Sequence, residues 1–90
     1  MKTIELDFKE LYTPRQIHEY IAEKLGFPDY YGNNLDALYD CLTDISEETE
    51  ITIVNYDILD YRENAIIKTF LDAVEENDSL NVLLQRLPSE

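Results

Sequence analysis

The stretch TIELDF, residues 3–8, alternates Ile4, Leu6 and Phe8 with polar residues, the period-two pattern of a strand with one buried face. A helix start follows. Thr13 is placed to cap it, Pro14 suits its first position and Gln16 completes a capping box, while Tyr12 and Ile17 are spaced to form a hydrophobic staple. Ile17, Tyr20, Ile21 and Leu25 then recur on one helical face, Gly26 supplies a left-handed stop, and Pro28 bars continuation. After the loop FPDYYGNN, whose Gly and Asn residues tolerate unusual backbone angles, Asn34 caps a second helix reaching about Thr43. ITIVNY, residues 51–56, is a β-branched run expected to form a buried strand. Asp57 offers a further cap. From Asp57 to Glu76 the pattern is helical, in two pieces broken near Asn64, with Ile66, Ile67, Phe70, Leu71 and Val74 as the stripe of the second piece and Asn77 at its left-handed end. LNVLLQ, residues 80–85, closes the series as a third strand before a polar tail at Pro88.

Strands alternating with helical crossovers imply parallel pairing. The expected fold is therefore a small two-layer α/β domain, a three-stranded parallel sheet with helices packed on it. No solenoid repeat or linker divides the chain, so residues 1–90 are read as one domain.

On a helical wheel from Leu35 to Ile45, the residues Leu35, Leu38, Leu42 and Ile45 share the side expected to face the core, with Cys41 at its margin. Asp36, Tyr39, Asp40 and Thr43 fall on the opposite, outward side. Like charges four residues apart destabilise a helix by a few tenths of a kcal/mol. Asp36 benefits from the positive helix N-terminus, but Asp40 lies beyond that turn and gains little. Tyr30 and Tyr31 enter at the same helix end. Carboxylates among tyrosines on a rigid helix have the make-up of a protein-binding hot spot, whose complement is a basic cleft.

Composition sharpens this picture. Seven Lys and Arg stand against twenty Asp and Glu, a formal charge of −13. Such a surface repels nucleic acid and anionic membrane and draws in basic partners at rates that fall with salt. No run approaches the ~18 apolar residues of a membrane span, and MKTIELDFKE has charges where a signal peptide needs an apolar stretch. Cys41 is the single cysteine, so no intrachain disulfide forms and a Cys/His zinc site lacks its ligands. A reducing, cytoplasmic setting is expected.

The segment YYGNNLDALYDCLT, Tyr30 to Thr43, resembles the signature of the barstar family of ribonuclease inhibitors, Tyr-Tyr-Gly-x-Asn-Leu-Asp-Ala-Leu-Trp-Asp. A weaker likeness covers the preceding strand and helix and FLDAVEENDSLNVLL near the end. This resemblance implies an inhibitor that occupies the active site of a secreted guanyl-type microbial ribonuclease, as a one-to-one complex, from a protein that is monomeric when free. By motif position, Asp40 matches the family's central phosphate-site aspartate and Asp36 its acidic neighbour. Tyr30 matches the contact tyrosine of the loop. Gly32 and Asn34 match positions that shape the approach, and Thr43 closes the contact face. Tyr39 stands where the family has tryptophan, and Asp72 where it has a glutamate that also meets the enzyme. No cofactor, metal, nucleic acid or membrane is implied. A carboxylate on a rigid helix satisfies the cationic donors of a phosphate site without being cleavable.

Other readings fit less well. As acid–base or metal carboxylates, Asp36, Asp40 and Asp44 lack a companion: there is no Gly-rich phosphate loop, and helical aspartates fan by about 40° per i,i+4 step without a calcium site's bent loop. His18, the sole histidine, is read as a surface or boundary residue, and Cys41 as a small hydrophobe at the core edge. An acidic nucleic-acid mimic, or a module binding another basic protein, is the alternative that composition permits.

Overall fold

The computed structural model describes residues 1–56 and 60–85, apart from the side chain of Tyr61. The cap expected at Asp57 and the tail at Pro88 lie outside these residues. The elements run β1 (Lys2–Asp7), α1 (Pro14–Leu25), α2 (Leu35–Thr43), β2 (Thr49–Val54), α3 (Tyr61–Glu76) and β3 (Leu80–Gln85). The strands form one parallel sheet in the order β1-β2-β3, as the alternation of elements predicts.

Register explains why the helices gather on one face. Ile4, Ile51 and Val82 stand in one row across the sheet, and Leu6, Ile53 and Leu84 in another. A period of two puts the intervening residues on the opposite face, where Thr3, Glu5, Asn81 and Leu83 are exposed. One apolar face calls for one helical layer. Ile17 and Ile21 of α1, Leu38 and Leu42 of α2, and Ile66, Ile67, Phe70 and Ala73 of α3 complete the core with Leu6, Phe8, Ile51 and Ile53. Helix α1 packs on β1, α3 on β3, and α2 on α3.

The start of α1 follows its sequence signals. The Thr13 side chain accepts from the Gln16 N–H, Gln16 reaches back to the Thr13 N–H, and Gly26 ends the helix at φ 71°. The expected staple does not form. Ile17 is buried, but Tyr12 is 69% exposed, its N–H held instead by the Gln16 carboxamide at 2.8 Å.

Helix α3 also departs from expectation. It is one continuous helix from Tyr61, capped by Asp60, whose carboxylate accepts from the Arg62 N–H at 2.9 Å. Asn64 lies inside it and bonds back to the Asp60 carbonyl at 2.9 Å. The buried Ile66, Ile67 and Phe70 stripe outweighs the weak helix preference of one asparagine.

Asn77 is not left-handed but extended, at φ −136° and ψ 104°, because its side chain is used elsewhere. Its Nδ2 lies 3.0 Å from the Leu42 carbonyl, 3.3 Å from that of Thr43 and 2.9 Å from that of Ile45, while its Oδ1 accepts from the Ser79 N–H. Leu42 and Thr43 close the last turn of α2, where carbonyls lack intrahelical donors, and Ile45 follows just beyond it. One buried amide thus ties the end of α2 to the turn into β3. Replacing it takes a shared donor from three buried or part-buried carbonyls, so Asn77→Ala is expected to lower stability by about 1–3 kcal/mol, read as a fall in the urea midpoint. A change within about 0.5 kcal/mol would contradict the role assigned to this amide.

Candidate functional site

The site begins where α1 stops. Beyond Gly26 the chain turns, with the Tyr31 N–H bonded to the Pro28 carbonyl at 3.0 Å. The Tyr31 ring leans on Phe27 at 5.1 Å and His18 at 5.9 Å between centroids, and its hydroxyl meets His18 Nδ1 at 2.7 Å. Burial pushes the Tyr31 phenol above its ordinary range, with a smaller push from the neighbouring Cys41. Tyr31 is therefore the loop's anchor. Tyr30, next in the chain, is 87% exposed.

Asn33 takes φ 53°, a left-handed angle that asparagine tolerates, and the chain then enters α2. The Asn34 carboxamide oxygen accepts from the Ala37 N–H at 2.8 Å, and its nitrogen donates to the Gly32 carbonyl at 3.1 Å. A Cβ at Gly32 would stand 2.9 Å from that nitrogen, so a side chain there disturbs the cap. These two residues shape the loop and start the helix.

Along α2, Leu38 and Leu42 are fully buried, and Asp36, Asp40 and Asp44 are exposed. Two expectations shift. Leu35, placed on the core side, is 40% exposed, because it opens the helix and the core begins one turn later. Tyr39, placed outward, is partly buried against the core. Partial burial raises the Tyr39 phenol, and the carboxylates of Glu76, Asp72, Asp40 and Glu75 push it in the same direction. Tyr39 thus fills the seam between α2 and α3, bordered by acids of both. The Thr43 hydroxyl donates back to the carbonyls of Tyr39 and Asp40 at 3.0 and 3.1 Å, a bond turned into its own helix.

A cleft of about 350 Å³ between the loop and α2 brings Tyr30 and Asp40 to one opening. Asp36 and Asp72 do not line it; Asp72 and Asp40 both act on the Tyr39 phenol. Among the described residues, the ion pairs Arg15–Glu19 and Arg62–Asp60 involve none of the acids of this face. The carboxylates of this face are thus not neutralised by an ion pair among the described residues. Among the described residues no three His, Cys, Asp or Glu converge as a metal site, and no helix is long and apolar enough to cross a membrane.

The family model described as Barstar (barnase inhibitor) matches residues 1–84. The chain belongs to the barstar family. A relative from Bacillus subtilis (strain 168), named "Putative ribonuclease inhibitor YrdF", is 49% identical over 43 residues, covering 48% of this chain and 47% of the relative. The matched stretch thus spans about half the length of that curated relative.

Within this barstar-family fold, two features of the site differ from what the residues alone suggest. Glu75 and Glu76 join Asp72 on the rim around Tyr39; their i, i+3, i+4 spacing is the signal that could have shown it, for it places them on one helical face. His18 is 4% exposed rather than at the surface, since the polar partner that makes its burial tolerable is thirteen residues away.

Burial holds the His18 imidazole below its usual pKa. The groups facing it are the Tyr31 hydroxyl and, lining the same recess, Arg62 of α3, which is paired with Asp60. The folded state thus binds the proton more weakly than the unfolded chain. The resulting stability is fully present above the unfolded value of about 6.5 and is lost as pH falls below it towards the lower folded value. The urea midpoint is expected to drop between pH 7.5 and 5.5 in the wild type and to stay nearly flat in His18→Gln. Equal slopes would exclude His18 as the cause.

Proposed function

We propose that the protein is a ribonuclease inhibitor that covers the active site of a basic guanyl-type microbial ribonuclease in a one-to-one complex, acting in the cytoplasm before the enzyme is exported. Membership of the barstar family supports this reading, as does the name of the Bacillus subtilis relative. The observation that carries it is the exposed Asp40 carboxylate, without an ion-pair partner among the described residues, sharing a cleft with the exposed ring of Tyr30.

The chemistry follows from what a ribonuclease must offer. An active site that grips a phosphodiester holds cationic and N–H donors aimed at one anionic group. Asp40, delivered by α2, fills that demand with two oxygens and presents no bond to cleave. Because Leu38 and Leu42 fasten α2 to the core, little ordering entropy remains to be lost on docking. Asp36 and Asp72 extend the acidic face to either side, Tyr30 and Tyr39 supply contact area, and Gly32, Asn34 and Thr43 hold the loop and helix that present them. The charge of −13 accelerates encounter with a basic enzyme and makes association salt-sensitive. No cofactor takes part.

The test is RNA cleavage by a panel of small basic secreted ribonucleases, barnase among them, with the protein added at low and high salt. Inhibition of at least one is expected, and Asp40→Ala alone should weaken it by about 30-fold or more, the equivalent of at least ~2 kcal/mol. The barnase complex of this family is itself among the systems that define that hot-spot scale, so the magnitude is borrowed from the scale and is no independent result of this geometry. Affinity that fades gradually as many acids are removed, with no dominant residue, would instead indicate a nucleic-acid mimic or a module for another basic protein.

A further inference from the structure

The cleft beside Asp40 holds a second carboxylate. Asp44, the C-cap of α2, lines the same opening as Asp40 and Tyr30, with Phe27 and Pro28 on its apolar wall and Cys41 between the two acids in sequence. Burial raises the Cys41 thiol, and Asp40 and Asp44, which line the cleft on either side of it in sequence, add to that push.

Local stability does not account for Asp44. It adds negative charge to the negative end of the helix dipole, no basic residue occupies the last turn, and Asp40 lies one turn before it. Among the described residues no ion pair offsets this repulsion. Its position is nonetheless fixed. The Asp44 N–H is bonded to the Asp40 and Leu42 carbonyls, and the Asn77 amide grips the carbonyls of Leu42, Thr43 and Ile45 on both sides of it.

We propose that Asp44 is a second recognition carboxylate, and that with Asp40 it receives one arginine side chain of the ribonuclease in this cleft. The inference rests on the inhibitor reading above. Arginine suits the cleft better than lysine does. Its planar fork spans two acceptors at once, its flat face stacks on an aromatic ring, and its stem lies along an apolar wall.

The test uses a ribonuclease from the panel that the wild type inhibits. Asp44→Asn keeps the shape and removes the charge; it is expected to weaken inhibition about tenfold, with the urea midpoint unchanged or raised because helix-end repulsion is relieved. Single Arg→Ala variants of the enzyme, assayed against both inhibitors, should reveal one arginine whose loss matters much less once Asp44 is gone. Unchanged inhibition by Asp44→Asn while Asp40→Ala is severely impaired, or no arginine coupled to Asp44, overturns this inference and leaves the inhibitor reading standing. If the wild type inhibits none of the panel, the inhibitor reading falls and takes this inference with it.

Discussion

Two asparagine side chains hold the two ends of α2, and the face it presents depends on both. Asn34 bonds the first turn through the Ala37 N–H and closes the preceding loop on the Gly32 carbonyl. Asn77, from the end of α3, donates to the carbonyls of Leu42 and Thr43 in the last turn and of Ile45 just beyond it. Between them, Leu38 and Leu42 fix the rotation of the helix about its axis. A nine-residue helix is too short to persist alone in water, so its order comes from these tertiary anchors. Once the rotation is fixed, Asp36 and Asp40 must face solvent.

Charge on that face is a cost in the free protein. Asp36, Asp40 and Asp44 repeat at intervals of one turn, and Asp72, Glu75 and Glu76 of α3 add to the same field around Tyr39. A chain selected for stability alone would intersperse lysine or arginine here. The described ion pairs lie instead on α1 and at the start of α3. The fold thus tolerates local repulsion where a cationic surface would relieve it, and under the proposed inhibitor function the carboxylates would reach a partner without first breaking salt bridges of their own.

Much of this was legible in the residues. Strand alternation, the capping box at Thr13, the Gly26 stop and the Asn34 cap are short-range signals, and the structure follows each of them. The parallel sheet followed from the spacing of strands and helices. What the sequence concealed depends on distant partners. The His18 contact reaches thirteen residues to Tyr31, and the Asn77 contacts reach 32 to 35 residues back to α2. Tyr39 shows the same limit, since a helical wheel for α2 alone contains no second helix to cover it. Asn64 shows the converse, for the apolar stripe beyond it carries α3 through a residue that local preference marks as a break.

The Asn77 clamp also bears on how far along the chain the order of α2 depends. The amide that secures the far end of the Tyr30–Thr43 segment lies more than thirty residues beyond it in the chain. The face that α2 presents is thus secured by a contact of long sequence separation, closed only when α3 and β3 are in place.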